Sequence, residues 1–190
     1  MKIIIQLTFI SCLVCTNLVF AADAIDKTEL TEQAIGKIKG FGKQLKTTLK
    51  SAIKHGGFEQ GINVCKEVAD DIALQHSSST WTITRKSIKN RNPNNKPTPW
   101  ELSQLEKLEQ LKTSGIAMNK LALSDVISKG DVNEFKFVKA IPTDKLCLNC
   151  HGKQIQPNVK SLLSKLYPND LATGYSEGDI RGAFVVSKKL

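Results

Sequence analysis

The order of patterns along the chain predicts an α+β domain with a small antiparallel sheet. Helical periodicities come first, alternating β-branched stretches are scattered later, and no internal repeat appears. From Leu30 the apolar residues Ala34, Ile38, Phe41, Leu45, Leu49 and Ile53 recur every three or four positions, so Lys27 to Lys54 reads as one long amphipathic helix. Asp26 and Glu29 suit its first turn, and His55-Gly56-Gly57 ends it. Gly36, Gly40 and Gly42 each cost about 1 kcal/mol against alanine inside a helix, so packing must hold it, and they permit close approach of another group. A second helix runs from Phe58 to about Leu74 and puts Phe58, Ile62, Cys65, Ala69, Ile72 and Ala73 on one face. Cys65 therefore points inward.

Trp81 to Ser87 alternates with β-branched residues and reads as a strand, and Asn90 to Pro97 is turn chemistry throughout. Thr98-Pro99-Trp100-Glu101 supplies an N-cap, a proline at the first helical position and a capping-box glutamate. Leu102, Leu105, Leu108 and Leu111 then carry a helix to Gly115. Glu134 to Ile141 alternates again, and Gly182 to Ser187 is the last strand.

Met1-Lys2, the apolar run Ile3 to Phe20 and the small residues Val19 and Ala21 form a secretory signal peptide, residues 1–21, cleaved after Ala21. Residues 22–190 are then one domain, large enough for its own core, and contain no segment able to span a membrane. Lipidation at Cys12 or Cys15 is disfavoured, because Phe9-Ile10-Ser11 and Leu13-Val14 are poor lipoprotein cleavage contexts. The formal charge of +9 falls by one with Lys2. Lysines are spread from Lys27 to Lys189, which reads as a solvated surface that could face an acidic redox partner, with nucleic acid not expected in an exported protein.

Cys147-Leu148-Asn149-Cys150-His151 is the attachment pattern for c-type haem. Each cysteine can add to one porphyrin vinyl group, and the adjoining histidine reaches the iron. A bare Cys-x-x-Cys pair would be ambiguous between a redox dithiol and half a zinc site, but the histidine and the lack of a second ligand pair in the mature chain argue against both. Export agrees with haem coupling, which bacteria generally perform outside the inner membrane, so the periplasm is the expected compartment. With Cys12 and Cys15 cleaved away and two cysteines consumed, only Cys65 is left, and a disulfide framework is excluded.

The face of the iron across from His151 decides the chemistry. His55 reads as a helix-end cap, His76 as a solvent-facing loop residue, Met118 as core filler, and Cys65 as a small buried hydrophobe. Each is also a candidate ligand. Histidine or methionine would make an electron carrier, and thiolate would favour the ferric state. Arg85, Arg91 and Arg181 are candidate clamps for haem propionates, with surface or loop bracing as the alternative. Asn92 and Asn95 suit loop shaping, Trp81 and Trp100 core or haem packing, and Tyr175 a haem contact or a turn anchor.

Taken together, Cys65 in its helix, Arg85-x-Ser87, Arg91-Asn92-Pro93-x-Asn95-x-Pro97, Trp100-Glu101, the Cys147 to His151 motif and Gly178-Asp179-x-Arg181-Gly182-Ala183 resemble a bacterial family of periplasmic c-type haem domains. The likeness spans most of the mature chain. Members are similar to PAS domains in their sheet, occur alone or ahead of histidine kinases and diguanylate cyclases, and are described largely as a domain of unknown function. The resemblance implies a PAS-like fold and His/Cys ligation of one covalent haem, with Cys65 as the cysteine. It points to redox or small-gas sensing, in which reduction weakens the thiolate bond and admits a diatomic gas; a soluble electron-transfer cytochrome is the alternative. No enzymatic role is expected, since no distal histidine and arginine pair is placed for peroxide cleavage. The sequence stops at Leu190 without a membrane helix, kinase or cyclase, so a sensor of this form is expected to need a separate transmembrane transducer.

Overall fold

A computed structural model describes residues 26–130 and 132–190. The signal peptide, its cleavage site, Cys12 and Cys15 lie outside the described residues. Helix α1 spans Lys27–Glu67, started by the Asp26 carboxylate, which accepts from the amides of Thr28 at 2.8 Å and Glu29 at 3.2 Å. The expected stop at His55-Gly56-Gly57 is a break rather than an end. Gly57 takes φ +67°, a conformation that costs glycine little, and the chain re-enters the helix at once. The second segment closes earlier than the apolar face suggests. Val68 leaves the helix, and a short α2, Ala69–Gln75, carries Ile72 back to Ile38 and Phe41.

Strand β1 (Trp81–Lys86) and helix α3 (Pro99–Thr113) follow where the patterns placed them, and Thr98 and Glu101 close the capping box. Two strands then form a hairpin: β2, Ala122–Lys129, and β3, Val132–Pro142, joined through Gly130 at φ +62°. A single helical turn, α4 (Leu148–His151), capped by Cys147, carries the Cys-x-x-Cys-His motif. Helix α5 (Pro157–Leu166) and strand β4 (Ile180–Lys189) complete the domain. β2 and α5 were not expected. β2 is an edge strand that pairs only with β3, so it needs one good neighbour rather than a clean alternation of its own.

The four strands lie in the order β1-β4-β3-β2, every pair antiparallel, as the α+β expectation of a small antiparallel sheet requires. Alternation gives the sheet two apolar faces. Phe135 and Phe137 of β3, Val186 of β4 and Trp81 and Ile83 of β1 meet Leu30, Ala34, Ile38 and Phe41 of α1. Val138 and Ala140, with Ala183 and Val185, meet Leu105 and Leu108 of α3 on the other side. A third cluster joins Ile62, past the break in α1, to Val159 and Leu163 of α5 and to Tyr167. The break therefore turns α1 from the sheet to the C-terminal helix, leaving a gap between them.

Gly182 marks where β4 crowds the end of β1. Its φ is +156°, and a methyl group there would sit 2.3 Å from the Lys86 carbonyl oxygen. Gly182→Ala is expected to lower stability by about 1–3 kcal/mol, read as an earlier midpoint in urea. A midpoint unchanged or later would mean that the strands separate without cost.

Candidate haem-binding site

The motif becomes a site through local geometry. A tight turn at Lys145–Cys147 runs into α4, so Cys147 and Cys150, three residues apart on a helical turn, present both thiols to one side. Gly152 stops the turn, and the following backbone is stitched to the 170s loop: the Tyr175 amide donates to the His151 carbonyl at 3.0 Å and the Gly174 amide to the Gly152 carbonyl at 3.0 Å. That loop also orients the imidazole. Nδ1 of His151 lies 2.7 Å from the carbonyl oxygen of Ala172, and because a carbonyl can only accept, the proton is on Nδ1. The neutral ring is left with a free lone pair on Nε2, the arrangement found in metal-bound histidines.

Arg91 locks the loop to the motif. Its Nε donates to Asp170 at 2.9 Å and its Nη2 to the Cys150 carbonyl at 2.6 Å, while the other oxygen of Asp170 accepts from the Ala172 amide at 2.8 Å. Arg91, Asp170 and Ala172 thus form a chain that ends on the imidazole. Asp170 and Ala172 were missed in the sequence. An aspartate after Pro168-Asn169 looks like turn chemistry, and a backbone carbonyl leaves no mark in residue types.

The thiols and imidazole open into a cavity of about 410 Å³ in the gap between α1, the sheet and the motif, within the size range of cofactor sites. It is lined by Cys65, Cys147, Cys150, His151, Arg85, Arg91 and Arg181, so the attachment motif, one of the four candidate ligands for the opposite face and all three candidate propionate clamps meet there. Its apolar walls include Leu45, Leu49, Ile53, Phe58 and Phe184. Tyr167, also in the lining, was not singled out from sequence. Cys65 is half-buried and belongs to none of the three core clusters. The other ligand candidates lie elsewhere. His55 Nδ1 is 2.7 Å from the Ser51 carbonyl at the helix break, His76 Nε2 is 2.8 Å from Gln44, and Met118 packs against the α3 cluster. Trp81 is core, Trp100 in the first turn of α3 packs against the Leu105 and Leu108 cluster, and Tyr175 stands edge-on to His151 with centroids 6.4 Å apart.

Electrostatics in the cavity favour an anionic guest. Among its lining residues Lys46, Lys86, Arg85, Arg91 and Arg181 face only one carboxylate, Asp144, which pairs with Lys46 at 2.7 Å. The Arg85 guanidinium makes no hydrogen bond or salt bridge among the described residues. Arg181 donates from Nη1 to Ser87 at 3.0 Å, while its buried Nε has no acceptor among the described residues. Burial lowers the pKa of both guanidinium groups. Burial raises the Cys65 thiol above its ordinary value, and Arg85, Arg91 and Arg181 pull the other way. Tyr167 is pushed up to about 12, chiefly by burial. A group with an apolar body, two carboxylates and a metal that takes nitrogen and sulfur suits this lining: haem fits the residues present.

Burial, reinforced by Arg181 and Arg91, holds the His151 imidazole well below its ordinary pKa of 6.5, against a smaller opposing effect of the Ala172 bond. The unfolded chain takes up a proton near pH 6.5 that the fold refuses until well below. The resulting stability is complete above 6.5 and erodes as pH falls. In a Cys147→Ser/Cys150→Ser protein, the unfolding free energy from urea titrations should be nearly flat from about pH 7.5 to 6.5 and then fall by up to about 1.4 kcal/mol per pH unit towards pH 5.5. Adding His151→Gln should flatten the decline. An equal slope with and without His151 would mean that the ring is not held neutral.

A family model described as Tll0287-like matches residues 20–188. Among solved structures, the chain is similar to the crystal structure of the cyanobacterial heme-protein Tll0287, with 23% identity, 81% of this chain and 93% of that chain covered, and a TM-score of 0.53. Comparison with curated proteins finds no match.

Proposed function

Because the chain belongs to the Tll0287-like family, and because one cavity gathers its thiols, imidazole and guanidinium groups, we propose that it is a periplasmic monohaem c-type cytochrome serving redox or small-gas sensing. The carrying observation is the convergence of Cys65, Cys147, Cys150 and His151 on a cavity whose charged lining is almost wholly cationic. When bound, haem supplies one-electron chemistry and a binding position for diatomic gases. The thiols of Cys147 and Cys150 would hold it through two thioether bonds, each S–H adding across one vinyl double bond with nothing released. His151 offers Nε2, held in orientation by Ala172 and the Arg91–Asp170 pair. Burial favours the protonated Cys65 thiol, and as a ligand Cys65 would have to give up that proton.

Arg85 and Arg181 supply the unpaired donors that two propionates need, whereas Arg91 is largely consumed as a brace. No catalytic turnover is assigned to the site. Export by the N-terminal leader fits covalent haem attachment, and no helix among the described residues is long and apolar enough to cross a membrane. Spectra of dithionite-reduced protein under carbon monoxide test the sensing role. The expected result is a shifted Soret band in the reduced form only. Reduced protein that keeps two ligands from the chain and ignores the gas would remove gas sensing and leave redox sensing or electron transfer.

A further inference from the structure

Lysines that look dispersed in the sequence are gathered by the first segment of α1. No aspartate or glutamate occurs between Glu32 and Glu59, and Lys39, Lys43, Lys46, Lys50 and Lys54 follow one another at spacings of four and three, which keeps them on one stripe of the helix. All five are exposed. The stripe is roughly 22 Å long, at 1.5 Å per residue. It sits beside the wall that Gly42, Leu45, Leu49 and Ile53 present to the cavity, and Lys46 belongs to both. Lys46 is paired with Asp144, but Lys39, Lys43, Lys50 and Lys54 have no salt bridge among the described residues. Exposed Lys145, beside Asp144, extends the positive rim towards Cys147.

We infer that this ridge is the docking surface for an acidic electron-transfer protein, which would deliver or collect one electron at the cavity mouth; the inference rests on the haem reading above. Only an electron crosses, so no bond or proton need move. A field of one sign along a cleft raises encounter rates with an oppositely charged partner and fixes its orientation. A lipid surface fits less well. The residues between the lysines on the exposed side are Gln44, Thr47 and Ser51, and the apolar face of the helix is turned to the core and the cavity, so no apolar side chain lies on the ridge to insert between acyl chains. Redox sensing needs such a donor as much as electron carriage does.

The test uses ferric holoprotein and a plant-type ferredoxin, an acidic [2Fe–2S] protein, in its redox-inert gallium form. Amide chemical-shift changes should concentrate in residues 39–54 and 144–147, and the Kd should rise at least tenfold between 25 and 250 mM salt. Lys39→Gln/Lys43→Gln/Lys50→Gln/Lys54→Gln should weaken binding about tenfold or more at 25 mM salt and slow reduction by native reduced ferredoxin in parallel. The control Lys107→Gln/Lys120→Gln/Lys160→Gln/Lys165→Gln, of equal net charge, should stay within about twofold. Equal losses in both variants would reduce the effect to net charge and overturn the inference, as would shifts that map elsewhere. Ridge-dependent pelleting with phosphatidylglycerol vesicles, without ferredoxin shifts, would assign the lysines to a membrane and overturn it too. The optical spectrum of the same samples reports haem separately. A sample lacking c-type haem defeats the haem reading, whereas a normal spectrum with no ridge effect defeats only the docking surface.

Discussion

Cys65→Ala is expected to leave haem attached and change its iron. On the proposed reading, attachment would depend on Cys147, which caps α4, and Cys150 within it, whereas Cys65 reaches the cavity from the far segment of α1. Thiolate ligation favours ferric iron, so the substitution should abolish a low-spin ferric thiolate signal in electron paramagnetic resonance and raise the reduction potential by on the order of 100 mV, within the range axial ligands control. The fold should tolerate it, because Cys65 lies outside the three core clusters and alanine suits a helix. Unchanged spectra would transfer the role to another residue. Met118, His55 or His76 could then serve only after a rearrangement, since none of them lines the cavity.

Arg91→Met should be the most damaging change to stability. The Arg91 and Asp170 side chains are each about nine-tenths buried, 11% exposed, and 2.9 Å apart. Removing the cation alone strands the Asp170 carboxylate and frees the Cys150 carbonyl, a loss expected to cost about 3–5 kcal/mol. The displaced loop should also let His151 tilt, so haem incorporation should fall. The double variant Arg91→Met/Asp170→Asn should recover much of the stability, because the residual penalty of a lone buried charge is gone. Urea unfolding of both variants checks this. A single-variant cost under about 1 kcal/mol would show that the pair behaves as a surface ion pair.

What could be read in advance followed from residue type and spacing. The Cys-x-x-Cys-His pattern, the inward position of Cys65 and the three central and C-terminal strands have strong local signatures; the structure forms those strands and brings the motif and Cys65 to one cavity, while the stop at Gly56-Gly57 becomes a kink within one helix. The rest depends on partners that residue types do not encode. β2 exists because β3 supplies its pairing, and the Ala172 carbonyl orients His151 although any residue carries a carbonyl. α5 did carry a signal, Pro157 at the first position with Val159 and Leu163 one turn apart, but both side chains need Ile62 and Tyr167 to be buried. Of the three arginines, burial and hydrogen bonding distinguish a brace, Arg91, from donors still open, Arg85 and Arg181. The lysines seemed scattered because a helix turns a spacing of three and four into a line.

The measurement that bears most directly on the central claim is the intact mass of the protein purified from cells competent in cytochrome maturation, before and after extraction in acidified acetone. The predicted result is a chain heavier by one haem that keeps its red colour through extraction, with the added mass mapping to the peptide that carries Cys147 and Cys150. A chain at its bare polypeptide mass, or a chromophore that leaves with the solvent, would contradict it.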